Sequence, residues 1–243
     1  MITRSPSLTD QVKANLKERI VSGAFEEGRI PSETELAAEL GVSRTTIRDA
    51  LSRLENEGSI YRKQGAGTFV NQPGLQIKSR LEEIWSYEEV LQDHGYTPSV
   101  RVIGLTPRPA SESLAGDLGI ESGEPVLVVE KVFLEDDRPV VLTYNRIPTR
   151  HIKVEITKKS GALPLYDLLD RHCNRPLGYY LSEIVPVALP SHEADELGIP
   201  RRTPALSFEE VGYDQDNEPV VQSTSFFRDD LLRFRLIRRK VGA

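Results

Sequence analysis

The sequence predicts an α+β protein in two parts. A small helical domain with a β-hairpin spans residues 1–72. A larger antiparallel-sheet domain with helices spans 73–243, and a linker lies at about 71–78. Three observations lead there. Residues up to 58 carry apolar positions at helical spacing between capping signals, and a glycine-rich basic segment follows them. Asn71-Gln72-Pro73-Gly74 is turn and linker chemistry. Beyond it, a stretch of some thirty residues recurs about 80 positions later.

The elements follow in order. Residues 9–23 read as a first helix, with Thr9 or Asp10 as cap, Val12, Leu16, Ile20 and Val21 inward, and Gly23 as stop. Ser32 and Glu35 form a capping box for a second helix. Leu36, Ala37 and Leu40 make its apolar face, and Gly41 supplies the left-handed residue that ends it. Ser43 caps a third helix, in which Ile47, Ala50, Leu51 and Leu54 form the inward stripe. That leaves Arg44, Thr45, Thr46 and Arg48 outward at its start, and Arg53 further along. Arg62, Lys63, Gln64, Gly65 and Gly67 then form the tip of a short hairpin ending in Val70. Helix, tight turn, arginine-led helix and basic hairpin in that order make a winged helix-turn-helix. Its use is to lay a helix in the major groove of double-stranded DNA. Guanidinium groups there reach base edges or phosphates, and threonine hydroxyls bond phosphate oxygens. Glycines let the hairpin backbone approach the minor groove.

Residues 31–70 resemble the N-terminal domain of the GntR family of bacterial transcription regulators, which share P-S-E-x-x-L-A, G-V-S-R-x-T-V-R-x-A-L and G-x-G-T-F-V segments. Ile47 replaces the usual valine. The resemblance makes Ser43, Arg44, Thr45, Thr46 and Arg48 recognition-helix contacts, with Gln64 and Gly65 as wing residues. Many relatives carry an arginine where this chain has Thr34, so one contact is missing here.

Composition sets the remaining bounds. The chain has 243 residues, 38% hydrophobic and 28% charged, which suits a soluble globular protein. No apolar run approaches the ~20 residues of a membrane span, and the N-terminus has no signal-peptide core. A cytoplasmic location without membrane contact is expected. Cys173 is the single cysteine, which excludes an internal disulfide. His94, His151, His172 and His192 are scattered, so no metal site and no cofactor are expected. The net charge of −6 argues against DNA if averaged. Residues 1–72 hold ten basic and ten acidic residues, however, so the deficit belongs to the second part. Binding of modest affinity and strong salt dependence follows.

The second part opens with a helix at about 86–94, ended by Gly95. Then ASESLAGDLGIESGEPVLVVEKVFLEDDRPVV recurs as PSHEADELGIPRRTPALSFEEVGYDQDNEPVV. Ala115, Leu118, Gly119, Ile120, Pro125, Leu127, Glu130 and Val132 match residues 79 positions on, and Pro139-Val140-Val141 match residues 80 on. Each copy reads as helix, strand, acidic turn, strand. Two copies predict one antiparallel sheet with pseudo-twofold symmetry and helices on one face. A further helix at 165–172 and a strand at 178–186 lie between them.

Residues 76–240 resemble the UTRA ligand-binding domain, which defines the HutC branch of the GntR family and is similar in fold to chorismate lyase. The resemblance implies an effector-responsive regulator, usually a repressor and a homodimer. In relatives that bind phosphorylated amino sugars, basic side chains before the acidic turn hold the phosphate and a glutamate after it takes the amine. Registered on the turn, those positions are Lys131, Phe133 and Thr143. One cation survives and the acid is gone. A smaller ligand with an acidic end and an apolar part is therefore expected. Polar residues that interrupt apolar strands add Tyr144, Arg146, Tyr180, Ser182, Ser223 and Ser225 to the candidates, and Ser86 joins them as a helix N-cap. Arg228 is read either as an ion-pair partner of Asp229, Asp230 or Glu183 or as a ligand contact, and the 233–240 cluster as a solvated end.

The expectation is a ligand-controlled DNA-binding regulator. It acts as a homodimer that presents two recognition helices to a palindromic operator. Two alternatives stand beside it: a chorismate-lyase-like enzyme fused to a DNA-binding domain, and a constitutive DNA binder without effector. No nucleophile, base and acid set occurs at catalytic spacing, so no catalytic residue is assigned.

Overall fold

A computed structural model describes residues 7–75, 81, 83–228, 231, 232, 234 and 237. The chain divides into two compact units after residue 80.

The first unit runs α1 (Leu8–Val21), β1 (Arg29–Ile30), α2 (Glu33–Leu40), α3 (Arg44–Asn56), β2 (Ile60–Lys63), β3 (Gly67–Val70) and α4 (Gln72–Leu75). The cap of α1 is Ser7, whose Oγ accepts from the Asp10 amide at 3.2 Å, so the expected Thr9 or Asp10 cap is corrected by three residues at most. Ser7 sits before the first turn, where its oxygen can reach an orphan amide. The Ser32–Glu35 capping box and left-handed Gly41 form as the sequence implies, and Ser43 caps α3. Val12, Leu16, Ile20, Leu36, Ile47, Ala50, Leu51, Leu54 and Ile60 share one core. The sheet order is β1-β3-β2. Residues 71–75, at the start of the expected linker, instead make one helical turn. Asn71 Nδ2 donates to the Gly58 carbonyl at 2.8 Å, and a Cβ on Gly74 would lie 1.9 Å from that oxygen.

The second unit contains α5 (Tyr87–Asp93), β4 (Pro98–Pro109), α6 (Glu112–Leu118), β5 (Pro125–Glu135), β6 (Arg138–Pro148), α7 (Lys158–Gly161), α8 (Leu165–Leu168), β7 (Leu177–Ala188), α9 (Ser191–Leu197), β8 (Pro204–Asp214) and β9 (Pro219–Phe227). A wide helical turn, Leu169–Cys173, extends α8. The strands form one antiparallel sheet in the order β4-β5-β6-β9-β8-β7. That order is its own mirror about the β6–β9 seam, so β4-α6-β5-β6 and β7-α9-β8-β9 are the two copies. Both repeat helices end on a left-handed glycine, Gly119 at φ 59° and Gly198 at φ 64°. Asp136 and Asp137 turn β5 into β6 with positive φ at both positions, the backbone a tight hairpin requires.

Helices cover both faces, which corrects the expectation of one. On one face α5 places Val90 and Leu91 against Phe133, Val141, Phe208 and Phe227, while α8 places Leu168 against Val129, Ile147 and Val221. On the other, Ala194 and Leu197 of α9 meet Val132, Leu142 and Phe226, and Ala115 and Leu118 of α6 meet Val126. The reason was visible in β5, whose near-continuous apolar run leaves neither face polar.

The Leu142 side chain is wholly buried in a central strand. Leu142→Ala is expected to lower stability by about 2–5 kcal/mol, read as a lower urea midpoint at unchanged slope.

Candidate functional site

Two surfaces carry the chemistry. In the first unit, the Ser43 cap starts α3 with Arg44, Thr45 and Arg48 exposed at its N-terminal end. The Ser43 hydroxyl is engaged, since its Oγ accepts from the Thr46 amide at 3.1 Å and lies 2.8 Å from Thr46 Oγ1. Arg48 Nε is 3.4 Å from Glu33 at the start of α2. Arg53 binds Asp10 of α1 at 2.6 Å, and Arg62 binds Glu55 of α3 at 3.2 Å. These two guanidinium groups tie elements together and have their charge offset. Arg44 and Lys63 make no ion pair among the described residues and stay exposed. The hairpin tip turns at Gln64-Gly65, with the Ala66 amide donating to the Lys63 carbonyl at 3.0 Å. Gly65 takes φ +73° and has open space around the missing Cβ, so backbone can meet a phosphate there. Gly67 leaves room for Arg29 of β1, an exposed cation beside the hairpin that the sequence pattern did not single out.

In the second unit, a cavity of about 470 Å³ lies on the α5 and α8 face of the sheet. Eight of the ten candidate effector contacts line it: Ser86, Lys131, Phe133, Thr143, Tyr180, Ser182, Ser223 and Ser225. Tyr144 and Arg146 do not, and both are corrected. Side chains alternate along β6, so Thr143 and Asn145 face the cavity while their neighbours face the α9 side. There Tyr144 OH donates to Glu193 at 3.3 Å, and Arg146 Nη1 donates to Gln222 and Thr224 at 2.7 and 3.0 Å. Asn145 was missed, although its position two residues after Thr143 implied it. Tyr87, Glu88 and Glu210 also line the cavity and were missed. The first two arrive from the start of α5, where sequence shows no alternation to read.

The floor is built by strand register. Lys131, Thr143, Ser225 and Phe208 stand opposite one another across β5, β6, β9 and β8. The next row holds Asn145, Ser223, Glu210 and, on β7, Ser182. Ser223 donates to Asn145 Oδ1 at 2.9 Å, and Ser182 donates to Glu210 Oε1 at 2.6 Å. Tyr87 hangs from α5 between Phe133 and Phe227 and donates to Ser225 at 2.8 Å. Ser86 caps α5 and accepts from the Glu89 amide at 3.1 Å, so its oxygen is already engaged.

Burial governs the electrostatics. Lys131 is 1% exposed, and its Nζ donates to the Leu163 carbonyl at 2.7 Å. Burial pulls its pKa down to about 8, partly countered by the nearby Glu88 carboxylate. The same desolvation raises Glu88 and Glu210, the latter held back by the Ser182 hydroxyl. Glu88 Oε2 is buried with no hydrogen-bond partner. Arg228 reaches the carbonyls of Pro139 and Leu197 at 3.2 and 3.3 Å. The expected partners Asp229 and Asp230, the 233–240 cluster and linker residues 76–78 lie outside the described residues. Those described residues also hold no acidic, histidine or cysteine group fit for a metal and no helix long and apolar enough to cross a membrane.

Comparison with known proteins bears on both surfaces. Residues 8–70 match the family model described as bacterial regulatory proteins, gntR family, and residues 93–233 match the UTRA domain. The chain is 31% identical over 225 residues to the HTH-type transcriptional repressor NagR of Bacillus subtilis, covering 92% of this chain and 91% of that one. It is 30% identical to the HTH-type transcriptional repressor PhnF of Mycolicibacterium smegmatis over 93% and 90% of the two chains. The PhnF crystal structure superposes with a TM-score of 0.59 over 94% of this chain and 99% of its own. A Bacillus subtilis structure described as a possible transcriptional regulator, YydK, shares the fold with a TM-score of 0.74 at 19% identity, over 95% and 99% of the chains.

The shifted lysine makes a pH prediction. Its folded pKa lies below the unfolded value of 10.5, so the folded state carries a charging penalty below about pH 8. That penalty is relieved as pH rises from about 8 to 10.5, where the unfolded chain binds the extra proton. Relative to Lys131→Met, wild-type protein should therefore gain stability on the order of 3 kcal/mol across that window, measured as the difference in melting behaviour at stepped pH.

Proposed function

The chain belongs to the GntR family of bacterial regulatory proteins and carries the UTRA domain of the HutC branch, and from that premise we propose that it represses transcription by binding an operator under the control of a small molecule held in the cavity of the second unit. Proteins of this family regulate transcription and are not enzymes, so the lyase alternative falls away. The observation that carries the reading is the α3 start, where a capped helix presents Arg44, Thr45 and Arg48 to solvent beside a glycine-tipped basic hairpin. Arg44 and Arg48 are one helical turn apart, so both point into the same groove. Thr45, Thr46, Lys63, Gln64 and Gly65 act as phosphate and minor-groove contacts. Arg53 and Arg62, bound to Asp10 and Glu55, contribute mainly to holding the helices.

A homodimer on a palindromic operator extends this reading. The first 72 residues carry no net charge, which makes one copy a weak binder, and two copies on matched half-sites offset that. Support for pairing comes from edge strand β7, which leaves Leu181 64% exposed. Apolar side chains along an unpaired strand edge favour association. An effector in the cavity then shifts the population between arrangements that fit the operator and ones that do not. The cavity itself argues against a constitutive binder, because buried polar groups such as Lys131 and Glu88 Oε2 cost stability unless something uses them. The protein acts in the cytoplasm, where its DNA lies.

The test is a gel shift against DNA upstream of the protein's own gene. A sequence-specific complex is expected that weakens steeply with salt. Arg44→Ala should weaken it by about 10- to 100-fold, and Arg53→Ala should weaken it less. Absence of a specific complex, or an Arg44→Ala protein that binds like wild type, would defeat the reading.

A further inference from the structure

The internal repeat has a consequence at the cavity floor. With the copies aligned at an offset of 79, Lys131 of β5 corresponds to Glu210 of β8. The sheet keeps that equivalence in space. Both residues line the cavity, on strands placed symmetrically about the β6–β9 seam. Across the seam the pairs Thr143–Ser225 and Asn145–Ser223 interchange under the same operation. A duplicated pocket thus has a neutral hydroxyl and amide centre, a cation at one end and a carboxylate at the equivalent place on the other.

We propose that the effector is a zwitterion, with an acidic group directed to Lys131 and a protonated nitrogen directed to Glu210. This rests on the cavity being the effector site. Lys131 Nζ spends one donor on Leu163 and makes no ion pair among the described residues, so it keeps donors for a ligand anion. Glu210 accepts from Ser182 through Oε1, which leaves Oε2 for a ligand donor. The two strands are three strand spacings apart, roughly 14 Å, and the two residues lie in neighbouring rows of the floor. Phe133, Phe208, Tyr87 and Tyr180 line the cavity around that polar centre, so a flat spacer with apolar faces suits the ligand. A purely anionic ligand, the expectation from sequence, would meet one lysine and the carboxylates of Glu83, Glu88 and Glu210. The amine acceptor missing at Thr143 is restored three strands away from Lys131.

Three matched probes test this on the full-length protein by titration calorimetry: 4-(aminomethyl)benzoate, benzoate and benzylamine. Wild type should bind the zwitterion at least about tenfold more tightly than either singly charged probe, the worth of one charge-assisted hydrogen bond. The isosteric Glu210→Gln should erase the preference over benzoate, and Lys131→Met should erase the preference over benzylamine. Melting curves of both variants without probe confirm that each is folded. Benzoate binding as tightly as the zwitterion, with loss only in Lys131→Met, would overturn the zwitterion and leave the effector cavity standing. A preference for the zwitterion unchanged in Glu210→Gln would also overturn it. No binding by any probe would count against both the zwitterion and the cavity, while the gel shift tests operator binding independently.

Discussion

The pairing of β6 with β9, six residue pairs from Val141 opposite Phe227 to Arg146 opposite Gln222, is the constraint on which the second unit depends. Each repeat copy alone offers a three-stranded sheet with one unpaired inner strand. Joining the copies at this seam closes both inner edges and sets the register for every row across the sheet. Lys131, Thr143, Ser225 and Phe208 share a row only because that register holds. A slip by one residue would turn Thr143 and Asn145 to the helix α9 side and bring Tyr144 into the cavity.

The cavity is a place where the sheet's two-sided burial is interrupted. Val129, Val141 and Phe227 on the same face are covered by α5 and α8, whereas Ser223, Asn145 and Thr143 between them pair with one another and Ser225 accepts from Tyr87. Desolvation then acts on the few charges left inside. It lowers Lys131 and raises Glu88 and Glu210, which disfavours the charged form of each, and a ligand of opposite charge would favour that form again. The same residues that weaken the unfilled fold are the ones able to register occupancy.

The first unit solves a different problem. Its core stripe on α3, Ile47, Ala50, Leu51 and Leu54, locks the helix against α1, and this decides which side chains remain outside. Arg53 and Arg62 link elements as well as carrying exposed charge, because Asp10 and Glu55 lie within reach. Arg44 keeps its charge free at the capped end. Local charge counts from sequence could not separate these cases, since Arg53 and Asp10 are 43 residues apart.

By itself the sequence determined what depends on near neighbours. Caps at Ser32 and Ser43, the left-handed stop at Gly41, the apolar stripe of α3 and the glycine turn of the hairpin are all settled within a few residues, and they named the first unit's fold and output. The repeat, read as matched positions, determined the symmetric sheet. Tertiary structure alone decided the rest. Which face of β6 a residue joins depends on register with β9, so Asn145 entered the cavity and Tyr144 and Arg146 left it. Whether a charge is free depends on side chains brought together from distant segments. Glu210 illustrates both: its repeat partner was legible, but only the folded sheet set the two on one cavity floor, because strand pairing and not distance along the chain decides which side chains share a face.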